Sequence, residues 1–498
     1  MRNLRIFLEE LQKNGQLATV KSAVSTTLEA SAISAQSYQK AGPALHFKKL
    51  KEFPDKFSLV SGLFTGPGNL YLEKTKYWYR PALAMGLKIP ISYKGFLGAC
   101  MERIAHPILP LEVDTGPVKD RVQAGAEVDL SELPFPFLHK GDGGRYGTLQ
   151  TLMVKDYDTD WVVWANVRTM YLDKNRLAVP ITPNTPLAEI WDKYKTLGRP
   201  MPCCLVMGGP PLVTITSFLP LAKGTSPAAV AGGLNLDPIE LVKAETCPLY
   251  VPAQAEVVLE GELDPAKLEE EGPFPEYWFY KAKEFVPIMN VKAVTRREDP
   301  ILPFSVDGVK PSDTHNLQSL MLSFELFRRS LAIRNYPINW VQMPLEFNLN
   351  VVIICGPILF SGYVGWLTKY ALSQSRQLGS LYNKVIVVDE KTPEVSLEDA
   401  INDVILRTHP NRGYHFLDNL PLGPNFRGAD AAQLKKGLVS GLYLDTAWPK
   451  EWTKDDIPRK VSMEGSFPKE LLDKVVKNYN KFGYKGAPVI FEESIIPF

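Results

Sequence analysis

The chain has 498 residues, of which 45% are hydrophobic and 22% charged; this is ample material for more than one core and excludes a disordered or collagen-like polymer. Lys and Arg number 56 against 55 Asp and Glu, so no global field gathers nucleic acid or an anionic membrane. The length predicts about three domains. The five cysteines, Cys100, Cys203, Cys204, Cys247 and Cys355, form no C-x-x-C pair and read as reduced, intracellular thiols.

At the N-terminus, Leu4, Phe7, Leu8 and Leu11 recur at helical spacing and Gly15 ends the element. Charges run through this apolar stretch, which predicts an amphipathic helix and not a secretory signal. Short strands are expected within Pro43–Lys51 and Phe57–Leu63, then a turn at TGPG (65–68) and a helix carrying Tyr77, Trp78 and Tyr79. Pro107–Val128 reads as connecting chain and places a boundary near residue 112.

Between 113 and 310 the texture becomes strand-rich. Apolar, β-branched runs recur at Leu149–Val154, Trp161–Arg168, Leu177–Ile181, Cys203–Met207, Leu212–Phe218, Leu249–Val251 and Ala255–Glu260. GDGG (141–144), GGPP (208–211) and EGPFP (271–275) punctuate them. This pattern predicts a barrel or sandwich with a helix or two, such as Leu187–Leu197. From 311 to 498, strand runs (Ile338–Val341, Asn350–Ile354, Lys384–Val388) alternate with helical stretches (Leu317–Ala332, Tyr363–Leu378, Leu397–Leu406), which predicts an α/β domain. The ending FPKELLDKVVKNYNKFGYK predicts an amphipathic helix suited to an oligomer contact. The most apolar tract, Val351–Leu367, is interrupted by Gly356, Pro357, Ser361 and Gly362 and is too short to span a bilayer. A soluble, cytoplasmic protein is the expectation.

No phosphate-binding loop, third-glycine dinucleotide fingerprint, H-E-x-x-H or G-x-S-x-G occurs, and the six histidines are scattered. The informative tract is EEEGPFPE, Glu269 to Glu276. Its two prolines forbid a helix, and a pinned turn can aim Glu271 and Glu276 into one space. An arginine between them would keep one carboxylate ionised and leave the other to carry a proton. A solvated charge run on a turn is the plainer reading of the same spacing. Arg168, in WVVWANVRTM after Trp161 and Trp164, must reach a partner or water. Glu245 precedes two strand-like runs and means little alone.

Taken together, these tracts resemble the UbiD family of decarboxylases. The resemblance runs from LRIFLEELQKNGQL through LPFPFLHKGDGGRYGTLQT (133–151), WVVWANVRTM (161–170), LVKAETCPLYVPAQAEVVLEGEL (241–263), EGPFPE (271–276) and ILPFSVDGVKPSDTH (301–315) to the closing helix. It implies an α+β fold with an N-terminal α/β domain (1–112), a flavin-reductase-like split β-barrel (113–310) and a C-terminal α/β domain with an oligomerisation helix (311–498). It also implies prenylated FMN as cofactor and reversible decarboxylation or carboxylation of an aromatic or α,β-unsaturated acid.

Carried over by position, the family's catalytic arginine and two glutamates fall on Arg168, Glu271 and Glu276, with Glu276 as acid/base. The cofactor tracts fall on Ala165, Asn166, Val167 and Arg168, on Asn184 and Thr185, on Ser217, Phe218 and Leu219, and on Glu245. The family's manganese is held by an asparagine, a histidine and a glutamate. Here Val163 and Thr185 replace the first two and Glu245 alone remains, so a basic side chain, backbone donors or a monovalent ion such as potassium is expected at the phosphate. The same departure admits another role, as a non-catalytic partner subunit of a multi-subunit aromatic carboxylase. The resemblance further implies a flavin prenyltransferase as cofactor supplier and a homodimer or higher assembly, with a hetero-oligomer as the other arrangement. Trp340, Phe347, Phe360, Tyr363 and Trp366, if they face the pocket, favour an aromatic substrate over a small polar acid.

Overall fold

The computed structural model describes residues 1–53, 57–65, 76–277, 279–334, 337–375, 381–423, 426, 428–449, 451–453, 455–458 and 466–483. The GPG of the early turn and the last two residues of the closing motif lie outside them.

The helix Leu4–Lys13 buries Leu4, Phe7, Leu8 and Leu11, and the Asn3 side chain caps it by accepting from the Ile6 N–H. A four-stranded sheet stands beside it, with the order Leu17–Val20, Ala44–Phe47, Ser58–Ser61 and Ile301–Pro303. The last of these arrives from far along the chain and runs parallel to Ser58–Ser61. Asp313 locks this region. Its buried carboxyl accepts from the backbone N–H of Gly62 at 2.8 Å and of Phe64 at 2.6 Å, and from the Tyr38 hydroxyl at 3.2 Å.

The strand-rich middle closes on itself. The strands Val257–Glu271, Met201–Met207, Tyr146–Lys155, Val162–Asp173, Arg176–Ala178 and Glu284–Arg296 follow one another around a barrel, and pairing of the first with the last completes it. Every neighbour is antiparallel. Closure leaves none of the six strands as an open edge. Leu152, Leu177, Leu205, Leu259 and Met289 fill one contiguous core. The connecting chain before the barrel is less irregular than expected, since Arg121–Ala124 pairs with Glu284–Arg296.

Leu212–Phe218 corrects one expectation. It is not a strand but the buried helix Pro211–Thr216, with proline in its first turn. A proline with its φ already near helical values suits that position, and burial of the whole element overrides the strand preference of Val213 and Ile215.

In the C-terminal part, a five-stranded sheet has the order Trp340–Gln342, Val351–Cys355, Lys384–Val388, Leu438–Asp445 and Tyr414–Pro421. Its central pairs are parallel and its outer pairs antiparallel. The helices Asp313–Arg334, Tyr363–Gln374 and Leu397–Arg407 supply the expected alternation. The closing amphipathic helix spans Lys469–Lys477, with Leu472 buried and Leu471 and Val475 partly exposed. Among the described residues, no helix is long and apolar enough to cross a membrane. All five cysteines are free thiols.

Candidate active site

The barrel strand Val162–Asp173 carries Arg168, and the long strand Val257–Glu271 ends on Glu271. Past Gly272 and Pro273 the chain re-enters extended structure at Phe274–Glu276. These three excursions meet. The Arg168 guanidinium donates to Glu271 through Nε at 2.9 Å and Nη2 at 3.1 Å, a two-pronged clamp, and through Nη1 to Glu276. Glu271 is sealed at 1% side-chain exposure, whereas Glu276 keeps 20%. The two acids therefore differ: one is fixed and dry, the other stands at the wall of a cavity. The Phe274 ring lies 4.9 Å from the guanidinium carbon and Tyr146 tilts against Phe274 at 4.4 Å. Burial, then the Glu271 charge, pushes the Tyr146 phenol well above its ordinary value, so it stays neutral. Hydrogen bonds to Glu271 and the charges of both acids outweigh burial and raise Arg168, which stays cationic.

Two supporting features were not read from the sequence. Glu284 sits directly opposite Glu271 in the ladder and brings a third carboxylate to 3.7 Å from Arg168, where Lys281 neutralises it at 2.5 Å. Cross-strand register, not sequence proximity, puts it there. The GDGG turn does more than punctuate. The Gly143 N–H donates to the Pro273 carbonyl at 2.8 Å, and a Cβ on Gly143 would stand 2.0 Å from the Gly272 oxygen. Only glycine lets this turn press on the segment joining Glu271 to Glu276.

The cavity has a volume of about 610 Å³ and is lined by Arg168, Glu276 and Glu284 together with Ala165, Asn166 and Val167. Asn184 and Thr185 line it too, as do Ser217, Phe218 and Leu219. Its size is that of a small-molecule or cofactor site. The buried Asn166 Oδ1 has no protein partner, and such an orphan acceptor on a cavity wall suits a ligand that brings a donor. Thr185 caps the helix Pro186–Thr196: its hydroxyl accepts from the Ala188 N–H at 3.2 Å and donates to the Thr182 carbonyl at 2.8 Å. That helix opens on the cavity with the partial positive end of its dipole.

Other expectations are corrected. Glu245 does not line the cavity; it is exposed and accepts from Lys119 Nζ at 2.7 Å. It stands on the loop after the strand Glu240–Lys243. Neither Val163 nor the engaged Thr185 hydroxyl can stand in as a ligand, and no cluster of three His, Cys, Asp or Glu placed to hold a metal occurs among the described residues. Among the described residues, the ligands of a manganese site are not assembled. The five C-terminal aromatics are not pocket walls either. Trp340 and Tyr363 are core residues, Phe360 is half exposed, and neither Phe347 nor Trp366 lines the cavity. From that part of the chain, Leu322 and Leu381 reach it instead.

A closed barrel that presents an arginine clamped by one acid, with a second acid at the wall of a cofactor-sized cavity, is an arrangement able to hold and pass a proton. Two models of one family match the chain: the N-terminal domain of 3-octaprenyl-4-hydroxybenzoate carboxy-lyase over residues 8–93 and its Rift-related domain over residues 111–310. The chain belongs to this family, the UbiD carboxy-lyases. Pyrrole-2-carboxylic acid decarboxylase of Pseudomonas aeruginosa is 28% identical over 97% of this chain and 99% of its own. Ferulic acid decarboxylase 1 of Saccharomyces cerevisiae is 26% identical over 97% and 98%. Among solved structures, vanillic acid decarboxylase of Sedimentibacter hydroxybenzoicus superposes with a TM-score of 0.82 at 24% identity over 97% of this chain and 99% of its own. The UbiD-class enzyme HmfF of Pelotomaculum thermopropionicum, in complex with FMN, superposes at 0.81 with 24% identity over 93% and 98%.

Proposed function

We propose that this chain is a prenylated-FMN-dependent carboxy-lyase that decarboxylates an aromatic carboxylic acid, or carboxylates the corresponding aromatic, with Glu276 as the acid/base. The observation that carries this reading is the convergence of Arg168 and Glu276 at the cavity wall with the buried Glu271 behind them. The relatives that act on pyrrole-2-carboxylic and ferulic acids support the substrate class.

The flavin, when bound, supplies the electron sink that an sp² carbon needs on losing CO2. The protein's part is positioning and proton transfer. The orphan Asn166 acceptor, the Ser217–Leu219 segment and the Ala165–Arg168 strand would hold the ring system and its tail. The positive end of the helix Pro186–Thr196, whose first residue has no N–H and whose Ala188 and Glu189 N–H groups are held by Thr185, would favour the phosphate through its dipole in place of the missing metal ligands. Arg168 keeps Glu271 fixed as a counter-ion and aims the half-free Glu276 at the reacting carbon. Glu276 delivers a proton to the carbon that has lost its carboxyl; in the reverse direction it removes the ring proton.

Leu406 and Phe416, more than three-quarters exposed on the C-terminal part, and the outward Leu471 and Val475 of the closing helix support assembly with another copy. The reading is tested by co-producing the chain with a flavin prenyltransferase, recording the absorption spectrum of the purified protein, and measuring CO2 release or exchange from aromatic acids. Bound flavin with substrate-dependent CO2 release is the expected result. Flavin-free protein that becomes active only beside a homologous chain would make it a partner subunit instead.

A further inference from the structure

The same cavity contains a carboxyl that the proton-transfer reading leaves idle. Asp307 stands four residues past the end of the strand Ile301–Pro303 and lines the wall shared with Glu276. Its Oδ1 accepts from the Ser305 hydroxyl at 2.7 Å and from the Thr314 hydroxyl. Among the described residues no hydrogen bond reaches Oδ2. The next residue, Gly308, lies at φ +86° and presses on the chain that carries Glu276: a Cβ there would stand 2.8 Å from Pro275 Cβ. The segments that carry the two carboxyls are thus packed together where Gly308 meets Pro275.

The neighbours of Asp307 leave it exposed to whatever enters. Tyr277 stacks on His315 at 4.8 Å and 23°, and the Tyr277 hydroxyl donates to Gln318 Oε1 at 2.8 Å. His315 Nδ1 is engaged with Ser312 Oγ at 2.9 Å. Leu322 and Leu381 complete the recess with apolar surface. The recess is flat-walled and aromatic, and both protein hydrogen bonds to Asp307 go to Oδ1, which leaves Oδ2 to take a charge-assisted hydrogen bond from a ligand donor. Burial pushes the Asp307 carboxyl up to about 6.

We propose that Asp307 determines specificity by accepting a hydrogen bond from a ring-borne donor, a phenolic O–H or a ring N–H, on an aromatic acid whose carboxyl-bearing carbon faces Glu276. The inference rests on the carboxy-lyase reading and narrows its substrates to acids that carry such a donor. A hydrogen bond to a charged acceptor is worth about ten- to a hundredfold in affinity.

The test is calorimetric titration of the protein, with and without flavin, using benzoate, its three monohydroxy isomers and pyrrole-2-carboxylate. At least one donor-bearing acid is expected to bind about tenfold or more tightly than benzoate. Asp307→Asn should remove that advantage while leaving benzoate's Kd within about twofold. Thr314→Val, which keeps the carboxyl but removes one of its anchors, should lose part of the advantage, and it carries the test if the first variant does not fold. Equal affinities in the wild type, or an advantage that survives in folded Asp307→Asn, would overturn the assignment and show a carboxyl that only braces Ser305 and Thr314. CO2 release by the flavin-loaded wild type is measured separately; its absence sinks the carboxy-lyase reading whatever the affinities are.

Discussion

Replacing Arg168 by methionine tests the clamp at the level of stability, independently of any cofactor. Methionine keeps much of the volume and deletes all three contacts to Glu271 and Glu276. The decisive term is Glu271. At 1% exposure it would become an unpaired buried charge, and breaking a buried pair from one side costs about 3–5 kcal/mol. At about 2–4 °C per kcal/mol for a unit of 150–250 residues, Tm should fall by about 6–20 °C. Glu271→Leu should cost less, because Arg168 retains Glu276 and the more distant Glu284. The double variant Arg168→Met/Glu271→Leu should recover much of the loss, since it leaves no orphan charge. Lowering the pH should also shrink the cost in Arg168→Met, because protonation relieves the stranded carboxylate. Thermal unfolding of the four proteins closes the cycle. Losses that simply add, or an Arg168→Met protein that melts with the wild type, would refute the reasoning.

Three further outcomes are expected. Burial, then Lys310, holds His315 at about 3, below the ~6.5 of an unfolded imidazole; the folded state resists its protonation. Stability should therefore fall as pH drops below about 6.5, by up to about 1.4 kcal/mol per unit. Asp307 opposes this: with its carboxyl raised to about 6, ionisation weakens the fold, and stability returns as pH falls from about 6 toward 4. Urea midpoints against pH should flatten on the acid side in His315→Asn and steepen in Asp307→Asn; unchanged slopes in both would count against these burials. Finally, Cys204 and Cys247 lie with sulfurs 3.1 Å apart, so diamide should cross-link them in a non-reducing peptide map. Cross-linking should be slow at neutral pH, because the neighbouring thiol and burial push Cys204 well above the ordinary thiol range. A map showing other pairs and never this one would contradict the packing.

Much of the site is visible in the sequence because proline and glycine announce it. Pro273 and Pro275 force the chain off any helix between Glu271 and Glu276, and Arg168 follows an apolar strand that cannot leave a guanidinium unpaired. What escapes a linear reading is register. Glu284 acquires its place by pairing opposite Glu271 across a ladder, and Asp307 through the contact of Gly308 with Pro275. Glu245 shows the opposite failure: a lone acid in a matching tract says nothing about where its loop goes, and here it goes to Lys119. Trp340 and Tyr363 show why apolar residues are poor guides to a pocket, since core and cavity wall demand the same side chains. Leu212–Phe218 reads as a strand by composition and is a helix by burial, and that helix is what brings Ser217 to the cavity. The strands Tyr414–Pro421 and Leu438–Asp445 escape because half-exposed faces dilute their apolar pattern.

The proposed chemistry stands on Glu276 moving a proton at the reacting carbon. The direct measurement is turnover of an aromatic acid, with deuterium incorporation at the vacated carbon, by flavin-loaded wild type and Glu276→Gln. The variant should keep its flavin and lose about 10²- to 10⁴-fold in kcat, with label no longer delivered at the wild-type rate. A Glu276→Gln enzyme that turns over and labels its product within twofold of the wild type would contradict it.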